Sequence, residues 1–101
     1  METKLSVKAI DEEILICQEF IDKYERELSD KESEVKSLTQ RINVLTALNE
    51  ILPTGKSKTF NSHDLDDLVN ERFNAAPVIN SINQKIEHFQ TLIRGLYQLK
   101  E

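Results

Sequence analysis

Three sets of residues in this chain have types that could do chemistry. The first is Gly55-Lys56-Ser57. It has the ending of a phosphate-binding loop, in which backbone N–H groups and a lysine cradle phosphate oxygens. That loop needs another glycine five residues earlier, where this chain has Glu50. It also needs a preceding strand, and the residues before it have helical spacing. The stretch therefore reads as a basic connection in which Lys56 and Lys58 are open to an acidic partner. The second set is His63, His88 and Cys17. A zinc site needs three or four ligands at workable spacing, and these three are far apart along the chain. The third set is the acidic pairs Glu12-Glu13 and Asp66-Asp67. General acid–base work needs a pocket that raises one carboxyl pKa. These pairs fit solvated helix faces and the positive end of a helix dipole instead. No catalytic, cofactor-binding or metal-ligating residue is expected, and neither is a cofactor or an enzymatic activity.

The elements that would have to position these residues are read from an apolar ladder. Stepping alternately by three and four from Val7 gives Ile10, Ile14, Cys17, Ile21, Tyr24, Leu28, Lys31, Val35, Leu38, Ile42, Leu45, Asn49 and Leu52. All but Lys31 and Asn49 are apolar, counting Cys and Tyr. A ladder in phase over so many heptads is the mark of a coiled-coil helix. It predicts a long helix over about 6–52, roughly 70 Å at the usual rise. One competing signal is Ser29-Asp30-Lys31-Glu32, which has the form of a capping box and could split the helix. The ladder keeps one phase on both sides of it, which favours an unbroken helix. Pro53 ends the helix, and 53–61 reads as a loop. Asn61 or Ser62 then caps a second helix, whose first turns carry Asp64, Asp66 and Asp67.

The second ladder is Leu65, Leu68, Arg72, Ala75, Ile79, Ile82, Ile86, Phe89, Ile93, Leu96 and Lys100, apolar except at Arg72 and Lys100. It predicts a helix over about 63–99, kinked or briefly broken near Asn74-Ala75-Ala76 because Pro77 removes a backbone donor. One loop between two striped helices implies an all-α antiparallel hairpin of coiled-coil type, forming a single domain over 1–101. On these bounds the first helix is the longer, and its N-terminal turns project beyond the second.

Composition sets limits on function. The chain has 101 residues, 31% charged and 6% aromatic, and a net charge of −5. That balance lacks the basic face a direct nucleic-acid binder needs to displace counterions. One cysteine makes no internal disulfide, and no window has the length and apolarity of a signal peptide or membrane span. The expected setting is cytoplasmic. The C-terminal Tyr97-Gln98-Leu99-Lys100-Glu101 has the Y-x-x-x-E form found on small secreted helical hairpins named for a W-x-G turn. This chain has no Trp, and no family assignment follows.

The stripe is wider than a hairpin needs. Leu15, Ile16 and Phe20 lie off the ladder beside Ile14, Cys17 and Ile21. Together they make those turns apolar around most of the helix, which calls for a third surface. Ile14, Leu15, Ile16, Phe20 and Ile21, with Phe73 and Tyr97, are the candidate partner-binding residues. The expected partner is another helical protein or a second copy of the chain, completing a bundle. Self-pairing in parallel would set Glu27 against Glu32 of the other chain, so antiparallel association is favoured. The function these features imply is a non-enzymatic protein–protein interaction module: an adaptor, an assembly subunit or a small chaperone. The alternative is an acidic inhibitor or regulator, whose glutamates from Glu25 to Glu34 block a basic or nucleic-acid-binding target protein.

Overall fold

The computed structural model describes residues 5–101; Met1–Lys4, part of the polar N-terminal stretch, lie outside it. The chain is an all-α antiparallel hairpin. Helix α1 spans Val7–Ile51 and helix α2 spans Lys56–Lys100, each of 45 residues. The described residues contain no strand. Within this hairpin the chain divides into two compact units, one running to Leu28 and resuming over Asn80–Glu101, the other Ser29–Ile79.

Helix α1 begins where Ser6 supplies its cap. The Ala9 N–H donates to Ser6 Oγ at 3.3 Å, and the Ile10 N–H donates to the Ser6 carbonyl at 3.0 Å. This satisfies donors that a first turn leaves free. The helix runs through Ser29-Asp30-Lys31-Glu32 without a break, as the constant ladder phase implies. It ends at Ile51, with the Leu52 N–H still donating to the Leu48 carbonyl, because Pro53 cannot extend the ladder.

The connection is shorter than the expected 53–61 loop. Helix α2 already starts at Lys56, so Asn61 and Ser62 lie inside it and cap nothing. Its first turn carries no acidic residue and two lysines, which oppose the helix dipole. Packing decides the matter. From Leu65 the seam continues back through buried Asn61 to half-buried Lys58. Asn61 Nδ2 donates to the Leu45 carbonyl at 3.1 Å and to Asn49 Oδ1 at 3.3 Å, and Ser62 Oγ donates to Asn49 Oδ1 at 3.2 Å. A buried amide left unpaired would cost about 1–3 kcal/mol, so these bonds hold Asn61 on the seam and keep the turn before it helical.

Two further expectations change with that boundary. The helices are equal in length, so the first turns of α1 do not project: Ile10 and Ile14 are buried in the first unit, and Lys100 at the end of α2 pairs with Asp11 at 2.7 Å. Pro77 does not break α2, which continues through it. The carbonyl it orphans belongs to Phe73, which is well exposed, so water can take the place of the missing donor.

The two units have different seams. In the first, Ile10, Ile14, Cys17, Ile82 and Ile86 are buried. In the second, only Ile42 and Leu68 are buried hydrophobics, and polar pairs occupy rungs of the ladder. Arg72 Nη1 donates to Thr39 Oγ1 at 3.4 Å, Lys31 reaches out to Glu34 at 3.0 Å, and Asn49 meets Asn61 and Ser62. Apolar rungs supply burial; the polar rungs that bond across the helices, Arg72 and Asn49, penalise slipped registers, in which they would lose their partners.

Replacing Asn61 by Ala removes both donors from Leu45 and Asn49. The expected loss is about 1–2 kcal/mol in urea unfolding. Ile14→Ala, which empties a buried rung of the first unit, is expected to cost about 2–5 kcal/mol. Equal midpoints for wild type and Asn61→Ala would show that the amide contributes nothing to holding the hairpin.

Candidate functional site

The candidate site lies in the first unit, and its shape follows from the heptad phase. Glu13, Ile16, Phe20 and Lys23 recur at three- and four-residue steps, so they share one face of α1 beside the seam. Leu92, Gly95 and Leu99 share the corresponding face of α2. The structure brings the two faces together. Glu13 and Cys17 from α1, with Thr91, Leu92, Gly95, Leu96 and Leu99 from α2, line an open groove of ≈ 420 Å³. Next to it on α1, Ile16, Glu19, Phe20, Lys23 and Arg26 line a smaller hollow of ≈ 290 Å³. The flank is thus an apolar strip with Glu13 at one end and Lys23 at the other.

Aromatic contacts fix the middle of the strip. Phe20 stacks on Phe89 with ring centroids 5.0 Å apart, and Tyr24 lies 6.0 Å from Phe89. Stacked pairs of this kind add about 0.5–1.5 kcal/mol beyond their buried area. Lys85 Nζ sits 5.2 Å and Lys23 Nζ 5.6 Å from the Tyr24 ring centre, close enough for cation–π attraction. Phe20 is therefore held in place by its own chain while 38% of its surface stays exposed.

Of the candidate partner-binding residues, Ile14 is buried and Ile21 half-buried in the seam, where α2 covers them. They support the surface and do not form it. Leu15, Ile16 and Phe20 are exposed, at 56%, 43% and 38%. Leu15 belongs to the opposite flank from Ile16 and Phe20, by its heptad position. Tyr97 is exposed in the same unit, and Lys100 Nζ lies 5.5 Å from its ring centre. Phe73 is exposed but belongs to the second unit and does not line the groove. Leu92 and Leu99 fall outside the second ladder, and sequence reasoning passed over Gly95 between them. A helix-interior glycine was the available signal.

The remaining chemical candidates have plain surroundings. His63 and His88 are exposed, the latter edge-on to Phe89. Among the described residues no group of three or more His, Cys, Asp or Glu side chains is placed to hold a metal ion, and no helix is long and apolar enough to cross a membrane. The second unit has its own groove of ≈ 450 Å³, lined by Asp30, Ser33, Glu34, Ser37, Leu38, Arg41 and Glu71. All of its lining residues but Leu38 carry polar or charged side chains, with acidic and basic groups side by side. Cys17 is almost fully buried beneath the apolar groove. Burial pushes its thiol pKa up, and the neighbouring Glu13 carboxylate adds to the rise. No protein family, curated protein or solved structure matches the chain.

The Cys17 thiol should keep its proton well into the alkaline range. Its folded pKa lies above the unfolded one, so the stability it contributes is complete at neutral pH. That contribution is lost as the pH rises through the folded value. Iodoacetamide should accordingly alkylate Cys17 in the folded protein more slowly than in urea, with the rate rising only at more alkaline pH. Equal rates in both states at pH 8 would show that the groove floor is open to reagent.

Proposed function

We propose that this chain is a non-enzymatic protein–protein interaction module, working as an adaptor, assembly subunit or small chaperone in the cytoplasm. One observation carries the reading. After α1 and α2 have used their ladders on each other, Ile16, Phe20, Leu92 and Leu99 still form an exposed apolar flank in the first unit. An apolar strip beside a coiled-coil seam suits a helix laid along it, with side chains entering at three- and four-residue steps. Binding there gains from area removed from water, about 25 cal/mol per Å², and from Phe20 and Phe89 being ordered in advance. The strip offers no convergent set of titratable groups around a substrate-sized space, so binding is favoured over catalysis.

The alternative reading as an acidic regulator rests on net charge and on the exposed glutamates between Glu25 and Glu34. The two readings differ in their response to salt. Electrostatic capture weakens steeply as ionic strength rises, and apolar docking does not.

The test is affinity purification from the native source with wild type and with the Ile16→Asp/Phe20→Asp variant, at low and high salt. Losing the Phe20–Phe89 stack costs some stability, so circular dichroism at the assay temperature confirms that the variant is still helical. Recovery of the bound protein should fall at least about tenfold, equivalent to ~1.4 kcal/mol, and wild-type recovery should persist in high salt. Undiminished recovery by the variant would overturn this choice of surface. Recovery lost in salt but not by the variant would favour the acidic regulator.

A further inference from the structure

The flank that carries the proposed function also has a charge pattern that selects its occupant. A two-fold axis relates two copies so that residue i meets residue j and residue j meets residue i. When such an axis crosses a helix at right angles, residues equally far from the crossing point face each other in antiparallel. Take the crossing point level with Gln18. Ile16 and Phe20 are then equidistant from it, and so are Glu13 and Lys23. All four lie on the flank, with Glu13 lining the larger groove and Ile16, Phe20 and Lys23 the smaller hollow. Ile16 meets Phe20 of the other copy twice in the centre, and Glu13 meets Lys23 of the other copy twice at the ends.

We propose that this flank is self-complementary and binds a second copy of this chain, α1 against α1 in antiparallel, with reciprocal Ile16–Phe20 contacts and Glu13–Lys23 ion pairs. The proposal rests on the interaction-module reading and names the partner for its central surface. Three observations support it. Neither Glu13 nor Lys23 has an ion-pair partner within the chain among the described residues, so both are available. A parallel arrangement would place like on like, Glu13 against Glu13 and Lys23 against Lys23, which repels. Moving the axis to a point between Glu19 and Phe20 sets Glu13 against Arg26 but puts Ile16 opposite Lys23, so the apolar pairing is lost.

Helix α2 follows the same operation. Asp11 pairs with Lys100, and Phe20 stacks on Phe89, so the level of Gln18 falls near Leu92 on α2. Leu92 then meets its own copy, and Gly95 comes level with Phe89 of the other copy. A Cβ on Gly95 would meet nothing within 4 Å, so no contact inside the chain calls for glycine there. Its presence costs the helix about 1 kcal/mol relative to Ala. Close approach of a second hairpin gives that position a reason.

The test is sedimentation equilibrium on wild type, Glu13→Lys, Lys23→Glu and the double variant Glu13→Lys/Lys23→Glu. Circular dichroism serves as the folding control, since both side chains are exposed. Wild type should sediment at twice the chain mass of 11.7 kDa. Each single variant sets like charges against each other in two places and should weaken the dimer at least about tenfold, and the double variant should return to within about threefold of wild type. Wild type that stays monomeric at about 100 µM, where even a weak dimer of micromolar affinity forms, would overturn the proposal. So would a dimer indifferent to both single variants, or a double variant as weak as the singles. A monomer whose partner recovery still depends on Ile16 and Phe20 would sink self-docking alone and leave the interaction-module reading standing.

Discussion

The structure depends on the closure of one seam. Two apolar ladders, each too narrow to be stable in water alone, cover each other when the chain reverses between Leu52 and Gly55. Helices this long owe their stability to packing of such a stripe more than to propensity. Here the stripe overrides several local signals. It carries α1 past a capping-box sequence and α2 through Pro77, and it draws a lysine-bearing first turn into a helix against the dipole. Gly55 accepts from the Thr59 backbone and hydroxyl at 3.1 Å each, so the connection needs only the residues the reversal itself demands.

The seam divides its work along the chain. Isoleucines and Cys17 in the first unit make up most of the buried hydrophobic residues. The second unit accepts Arg72, Asn49, Asn61 and Lys31 on its rungs, each with a partner: Thr39, the Asn61 amide with Ser62, the Leu45 carbonyl and Glu34. Slipping one heptad would unpair the Arg72, Asn49 and Asn61 contacts together, since those three cross between the helices, whereas the Lys31–Glu34 pair lies within α1. Register is therefore set where the seam is polar, and cohesion comes from where it is apolar. An apolar unit of this kind can also present outward hydrophobic side chains, because its own packing does not need them.

Much of this was legible in the sequence. The ladders named the buried and half-buried positions of both helices almost rung for rung, because a period near 3.5 is a direct record of which face is covered. Val7 and Lys100, the outermost rungs, are the exceptions, both being exposed. The start of α2 was misplaced by several residues, since Asp64, Asp66 and Asp67 carry a strong helix-start signal, whereas the Asn61–Asn49 contact that extends the helix is long-range and leaves no local trace. The same error made α1 the longer helix. For the candidate site, periodicity identified Ile16 and Phe20 as surplus to the seam. It could not show that Ile14 and Ile21 would be consumed by α2, nor that Phe20 would rest on Phe89, because pairing across the hairpin depends on the true length of the connection.

Each chain closes its seam on itself, leaving the outer flank of the first unit exposed, and that flank is the surface we propose for a partner. The most direct measurement is a nuclear Overhauser experiment on the Tyr24 and Phe89 rings, whose centres lie 6.0 Å apart, in a mixture of isotope-labelled and unlabelled chains. Closure within the chain predicts a cross-peak among labelled chains that survives dilution, and none across the label boundary. A Tyr24–Phe89 cross-peak seen only between labelled and unlabelled chains would contradict it, since α1 would then be finding its ladder partner in another molecule.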